Sequence, residues 1–531
     1  MTKMNHKLLL GAAIAFASLQ QAHAVPFAPA DARAMGMGGT GVSSAEVAST
    51  VQYNPALLAT TRDDDHFGLK IPQFAVSVAD DDGFIDAVEN FDDTDESGNT
   101  NIDLLQNALD VASTSLPNLE AAVQALNSAD SAAALDTARD NLNAALLPLQ
   151  GTVTSNPGAT EPDSDLVIYS DLIADDLDKL NNKALRINIG GNVALAVPSK
   201  KFSLALSAGA QAAFSGRVLV SNEDSDLMRN YAIASNLYLD SVVDVQQSLD
   251  TLIDAQTALE ADPGNTALQN AAAAAADDLD AAQTAVDDFS YGGTAGQGNT
   301  VIFTNGALVE TDTNLTSQIQ MIGVSIADIG LTASRVFNIK GHDISFGITP
   351  KLQKITIFDY IQDLDSEDEF DSDTITENTE DYSSFNIDLG AAYQFGSEGQ
   401  FQTGLVIKNL MGKDYESTTG YEISVSPMVR AGISHRTSWT KVAFDLDLTE
   451  NDPIAFEDPT QYAALGAELN VFRIVQLRAG YRANLAGSDQ DVVTAGIGLS
   501  PLAIHLDLGV MANASDPEKE AGIALEFGVE F

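Results

Sequence analysis

The chain has 531 residues, with 76 Asp+Glu against 26 Lys+Arg, a formal net charge of −50, no cysteine, one tryptophan and 39 glycines. Without cysteine there is neither a disulfide framework nor a Cys-ligated zinc or iron–sulfur site, and so negative a field repels phosphate backbones and argues against nucleic acid as a partner. The length allows about three average domains or one large β structure.

Residues 1–24 combine Lys3 and Lys7, an apolar run from Leu8 to Leu19, and Ala22-His23-Ala24 before Val25. This is the pattern of a secretory signal peptide cleaved after Ala24, with no cysteine there for a lipid anchor. No later stretch approaches the ~20 apolar residues of a spanning helix. The exported chain is therefore either soluble or a closed β-barrel, the other structure that satisfies its backbone in lipid.

Residues 25–66 contain Arg33-Ala34-Met35-Gly36-Met37-Gly38-Gly39-Thr40-Gly41-Val42 and then Ala48-Ser49-Thr50-Val51-Gln52-Tyr53-Asn54-Pro55-Ala56-Leu57-Leu58. The glycines do not form a phosphate cradle, because no strand precedes them and no Lys-Ser/Thr follows. They predict a compact plug turned on Gly36, Gly38 and Gly39, with Asn54-Pro55 starting a turn ahead of Ala56.

From residue 67 onward, period-two alternation recurs in about fourteen segments, near 67–79, 184–197, 201–216, 316–337, 343–358, 383–395, 400–410, 421–435, 439–449, 460–471, 474–484, 490–499, 502–512 and 520–531. In 502–512, Leu502, Ile504, Leu506, Leu508 and Val510 alternate with Ala503, His505, Asp507 and Gly509. A soluble sandwich hides its apolar face; here that face is assigned to lipid and the charged or small face to a lumen. The predicted fold is thus an all-β transmembrane antiparallel barrel over 67–531, and an even strand count suits a bacterial outer-membrane barrel with both termini in the periplasm. Short even-to-odd links then lie on the periplasmic side and long acidic ones, such as 359–382, outside.

Two outer loops are long enough to hold helices. Residues 80–183 space Ile102, Leu105, Leu109, Ala112, Leu116, Leu119, Val123 and Leu126 by three and four, with a second run at Leu135, Ala138, Leu142 and Ala145. Residues 217–315 carry Val242, Val245, Leu249, Leu252 and Leu259, then Asp262-Pro263-Gly264-Asn265, then Leu268, Ala272, Ala275, Leu279, Ala282 and Val286. These coiled-coil-like seams predict helical hairpins in the first and second extracellular loops, packed singly or as one four-helix cap. The alternative is a disordered polar insertion.

The glycine stretch and the Asn54-Pro55-Ala56 segment, directly after a signal peptide, resemble the amino-terminal hatch of FadL-type outer-membrane transporters, and most of all the FadL-related TraF-like conjugal transfer proteins. The resemblance implies a hatch that blocks the lumen from the periplasmic side and, in the FadL type, passage of hydrophobic molecules to a lateral wall opening. The two helical insertions depart from that pattern.

Other residues bear on mechanism. Pro72, Pro350 and Pro427 fall inside strand segments, where proline marks an edge, bulge or kink. The apolar phase changes across Pro350, which predicts a bulge there, read either as a wall gap or as a register adjustment. Lys351, Arg430, Arg478 and Arg482, with Asp445, Asp447, Glu468 and Asp507, are predicted lumen charges that hold the wall rigid or line a substrate path. His505 and Asp507 share a face without a nucleophilic serine motif, so an enzyme is not expected. No cofactor motif is found. The runs Asp63-Asp64-Asp65 and Asp80-Asp81-Asp82 and the loop 359–382 offer carboxylates to calcium without EF-hand spacing, and a solvated acidic surface is the default. Trp439 and Phe472 suit an interfacial girdle. Two functions follow, each with outer-membrane lipid as the surroundings of a Gram-negative cell: passive transport of a small hydrophobic molecule, or binding of a cell-surface protein, in conjugative or other contact, through the hairpins.

Overall fold

A computed structural model describes residues 31–530 except 61–65, 93, 95–97, 129–130, 150–164, 310–314, 365, 367–371, 452–455, 457, 473 and 488–489. The signal peptide and the Asp63-Asp64-Asp65 run lie outside the described residues.

Fourteen strands close into one antiparallel barrel. In chain order they are β1 Gly68–Ala79, β2 Ala184–Val197, β3 Ser203–Leu219, β4 Gln318–Ile339, β5 His342–Asp363, β6 Thr379–Phe395, β7 Phe401–Lys408, β8 Met428–Arg436, β9 Thr440–Asp447, β10 Tyr462–Val471, β11 Val475–Asn484, β12 Val492–Leu499, β13 Ile504–Asn513 and β14 Glu520–Glu530. Each pairs with its neighbours in sequence, and β1 closes on β14 from Gly68↔Glu530 to Ala79↔Glu520. The burial pattern is inverted relative to a soluble protein. On β13, Leu506 is 51% and Val510 41% exposed, while Asp507 is 5% exposed. An apolar outer surface on a closed wall is the arrangement lipid requires, since closure leaves no strand edge unpaired.

The links sort by length. One end of the barrel carries the short turns 198–202, 340–341, 396–400, 437–439 and 500–503, and the other carries both insertions. Lys340 and Gly341, at φ 55° and 84°, are both left-handed, as a two-residue turn between twisted strands demands. Trp439 and Phe472 project at the short-turn end, 69% and 91% exposed.

The insertions form helices α1 Phe84–Asp92, α2 Asn101–Asn127, α3 Ala132–Leu146, α4 Asp165–Leu180, α5 Asn222–Ala261 and α6 Thr266–Asp287. Their starts follow from capping. Thr100 and Asp103 make a reciprocal capping box at α2, and Asn265 accepts the amides of Ala267 and Leu268 at α6, satisfying donors that a helix cannot pair internally. Leu119, Leu142, Val242, Leu249, Leu279 and Val286 share one core. The two insertions thus build a joint cap rather than separate hairpins, and α1 and α4 are additions that the spacing did not reveal.

One predicted strand is corrected. Segment 421–435 breaks at Pro427: Glu422–Val425 pairs with Lys413–Glu416 in a separate two-stranded sheet, and only Met428–Arg436 continues the wall. The hairpin folds inward, with Tyr415, Ile423 and Val425 covering Ala213, Val324, Ile326, Ile355 and Ile357 on the inner faces of β3–β5.

Candidate functional site: the lumen and the segment folded into it

Residues 31–60 lie inside the barrel at its short-turn end as linked helical turns, Ala32–Met35, Val47–Ser49, Thr50–Tyr53 and Pro55–Ala59. Gly38 and Gly39 turn the chain at φ 70° and 86°, a conformation glycine adopts without cost. Asn54 caps the last turn by accepting the Ala56 amide at 3.0 Å, and its Nδ2 donates to the carbonyls of Val42 at 3.0 Å and Ala391 at 3.2 Å. Pro55 takes the first position of that turn, where its missing N–H is not needed.

The wall receives this backbone through a belt of inward glycines. A Cβ on Gly347 would overlap Pro55, on Gly390 Asn54, on Gly404 Val42, on Gly466 Met37, on Gly480 Gly38 and on Gly509 Ala32. Gly36 faces Gly496 so closely that a Cβ would sit 3.0 Å from the Gly496 Cα. Several belong to registered cross-strand pairs: Gly347↔Gly390, Gly404↔Gly432, Gly466↔Gly480 and Gly496↔Gly509. The segment therefore meets the wall with no wall side chain between. Of these, the alternation in 502–512 places Gly509 on the small lumen face without showing what it meets, and the others carry no sequence signal of their own.

Charge fastens the same contact. Arg33 Nε donates to Glu468 at 3.0 Å and its Nη1 to the Ser44 carbonyl at 3.0 Å. Arg478 Nε joins that carboxylate at 2.9 Å and pairs with Asp507. Lys441 pairs with Glu46, and Lys70, itself paired with Glu526 on the neighbouring strand, donates to the Ser49 hydroxyl. Asp445 accepts the amides of Gly41 at 2.7 Å and Val42 at 2.9 Å, and Lys408 Nζ reaches the Gln52 carbonyl at 3.0 Å. Arg33, Glu46, Lys70, Lys408, Lys441 and Glu526 were not singled out from sequence, since partners as far apart as 33 and 468 leave no local pattern.

The remaining predicted lumen charges hold strand to strand. Arg430 and Asp447 form a two-point pair, with Nη2 to Oδ2 at 2.9 Å. Lys351 Nζ lies 2.9 Å from Asp388, and Arg482 Nη2 lies 3.1 Å from Glu520. His505 and Asp507 do not pair: Asp507 holds Arg478, while His505 Nδ1 lies 2.8 Å from Ser500 Oγ. Among the described residues no group of three or more His, Asp or Glu is placed to hold a metal ion. Asp80 caps the amide of Ile85 at 2.9 Å and Asp81 pairs with Arg186 at 3.2 Å.

The prolines behave differently from one another. The bulge predicted at Pro350 is absent. Residues 345, 349, 351, 353, 355, 357 and 359 of β5 are all buried, and the β4–β5 register is the same before and after the proline. Apolar character moves to the inner face at Ile355 because the 413–425 hairpin covers it. What Pro350 does is interrupt pairing with β4 between Gly330↔Lys351 and Ala333↔Ile348, a gap bridged by the Thr332 and Thr349 hydroxyls 2.8 Å apart; pairing with β6 is unbroken. A true register shift occurs in β1, between Lys70 and Gln73, against both neighbours.

Two cavities flank the inserted segment. One of about 540 Å³ opens at the short-turn end between Glu46, Lys70, Glu468, Arg478 and Glu530. A smaller one of about 100 Å³ lies on the far side of residues 51–53. Both are lined mainly by polar and charged side chains.

Closed wall, lipid-facing belt and residues 31–60 inside the lumen place the chain among membrane-spanning β-barrels with a segment folded into them. Over residues 51–447, more than half its length, it matches the family described as "F plasmid transfer operon, TraF, protein", and it belongs to that family. No curated protein matches the sequence. Similar solved structures include the toluene transporter TbuX of Ralstonia pickettii (9% identity, 94% of this chain and 98% of that one, TM-score 0.41), a FadL homologue of Pseudomonas aeruginosa (11%, 96% and 99%, 0.40) and the toluene transporter TodX of Pseudomonas putida (10%, 96% and 98%, 0.39). At these TM-scores the likenesses carry no functional argument.

Proposed function

We propose that the protein is a passive channel of the Gram-negative outer membrane whose amino-terminal segment is a hatch, exported by the signal peptide at 1–24. The observation that carries this reading is the glycine belt. A wall that only anchored a cap would have no reason to strip side chains from seven strands to admit a backbone. Ion pairs are reversible fastenings between hatch and wall, and the cavities on either side mark a route that the hatch and the inward hairpin interrupt. Because those cavities are polar and the inner apolar patch is covered, a polar solute is favoured over the hydrophobic cargo that the FadL resemblance implies. The short-turn end is assigned to the periplasm and the cap to the cell exterior.

A second reading is favoured by the cap, whose core is its own: the cap binds a surface partner and the barrel anchors it, in keeping with the plasmid-transfer name of the family. Solute uptake by cells with and without the protein, alongside a chain lacking 84–180 and 222–308, separates the two. Protein-dependent uptake that survives cap removal supports the channel. Absence of uptake in every form, with a correctly assembled barrel, sinks it and leaves the cap as the functional part.

A further inference from the structure

The lipid-facing surface of the wall carries a cation set among apolar side chains. Arg335 lies exposed on the outer face of β4, with Leu331 and Ala333 before it and Phe337 and Ile339 after it, and registers with Phe346 of β5. Leu331, Phe337, Ile339 and Phe346 are all exposed on the same surface. Phe337 and Phe346 meet edge to face, their ring centroids 6.0 Å apart, and the guanidinium lies over the Phe337 ring, 5.4 Å from its centroid. Phe337 is two residues nearer the short turns, so the arginine leans away from the bilayer centre, as a long cation on a lipid-facing surface does to reach the headgroups. A ring face attracts the guanidinium but leaves its N–H donors without an oxygen. Among the described residues no carboxylate or carbonyl pairs with the Arg335 side chain.

The β2–β3 turn supplies a second charge. The Lys200 carbonyl accepts the Val336 amide at 3.2 Å, which sets Lys201 and Phe202 beside Arg335. Both are exposed, and Lys201 has no carboxylate partner among the described residues either. In a chain of net charge −50, two neighbouring cations without a carboxylate at the edge of an apolar belt require an anion that arrives with the lipid.

We propose that Arg335 and Lys201 bind the phosphate of an anionic phospholipid, whose acyl chains lie along Leu331 of β4 and Leu204 and Leu206 of β3. A guanidinium takes two phosphate oxygens through parallel N–H donors, and the rings of Phe202 and Phe337 stand at the level where aromatic girdles meet headgroups. The leaflet that supplies the lipid rests on the assignment of the short-turn end to the periplasm; the headgroup chemistry does not.

The test is native mass spectrometry of the purified, heat-modifiable full-length protein titrated with dioctanoyl phosphatidylglycerol, with dioctanoyl phosphatidylcholine and inorganic phosphate as controls. The expected result is one phosphatidylglycerol retained per chain, roughly fivefold or more tighter than the choline lipid and not displaced by millimolar phosphate. Arg335→Gln is expected to abolish that preference and Lys201→Gln to weaken it about threefold. Lys340→Gln, a cation in the next turn at the same end, is expected to leave it unchanged. Each variant is checked for heat-modifiable migration, and neither Arg335 nor Lys201 forms an ion pair that the wall would lose. Equal binding of the two lipids, displacement by phosphate, or the same loss in Arg335→Gln and Lys340→Gln would overturn the site. The leaflet is read separately. The chain has no cysteine, so Lys340→Cys is reacted on intact cells with a maleimide too large for porins. Labelling only after the outer membrane is opened supports the periplasmic leaflet; labelling of intact cells overturns that orientation and leaves the binding result standing.

Discussion

Glycine 466 shows how a residue with no side chain determines what the barrel can hold. Its missing Cβ leaves room for Met37 and Thr40, and Gly466→Leu places several carbons where a backbone now lies, with wall and segment both too rigid to give way. Release of the segment is the expected outcome, and Arg33, now buried, supplies the readout: trypsin cuts after Arg33 in the variant but not in the parent, while the barrel still migrates differently unboiled. Asp445→Asn tests the same contact more gently. The Gly41 and Val42 amides lose a charged acceptor, and hydrogen bonds to charged groups contribute roughly 1.5–3 kcal/mol, so cleavage at Arg33 is expected to accelerate about tenfold or more, short of the effect at Gly466. Protection equal to the parent in both variants would mean that the belt does not hold the segment. The three strand prolines show the limit of single residues as signals, for one bends the register, one interrupts a ladder without shifting it and one ends a strand.

Strands were legible where each face has one environment. Segment 184–197 reads from sequence with the bounds the wall adopts, because lipid outside and a small or polar lumen face inside set Leu185, Ile187, Ile189, Val193, Leu195 and Val197 against Arg186, Asn188, Asn192, Ala194 and Ala196. Legibility fails where something folds into the lumen. Ile355 and Ile357 face inward yet are apolar, so the alternation suggested a bulge at Pro350 when the cause is a hairpin some sixty residues later in the chain. The glycine belt was hidden for a related reason: alternation reports which side a residue faces, never what stands opposite. The inward hairpin makes a prediction of its own. Replacing residues 413–425 by a short glycine linker uncovers Val324, Ile326, Ile355 and Ile357, and removes an obstruction from the upper lumen. Conductance of the Gly466→Leu barrel in planar bilayers is expected to rise further when the hairpin is also removed, by several-fold. Unchanged conductance would place the remaining constriction in the cap.

Cap and barrel are built on different physics, and acid separates them. The wall derives its stability from lipid outside and closed ladders, whereas the cap is a water-exposed helical body in which aspartates hold the starts of α2 and α5. Asp103 is held below the ordinary aspartate range by the Thr100 amide and hydroxyl. Asp224 is also held low: burial pushes its pKa up, but hydrogen bonds from Ser317 and the Thr316 and Ser317 amides outweigh it. Those amides, 2.9 and 2.7 Å away, belong to the chain just before β4, so Asp224 ties the start of α5 to the point where the insertion rejoins the wall. A carboxyl whose folded pKa is depressed binds its proton more readily when unfolded, so its stabilisation is complete above about pH 4 and is lost as pH falls through the folded value. The helical signal of the cap is therefore expected to melt at progressively lower temperature below pH 4, while heat-modifiable migration of the barrel persists. Asp224→Asn lowers the melting temperature at neutral pH and flattens that acid dependence, because the amide keeps an acceptor but has no proton to gain. Circular dichroism of parent and variant between pH 7 and pH 2.5 decides the matter: identical slopes would show that these aspartates do not govern the cap, and loss of barrel migration together with helix would show that cap and wall unfold as one body.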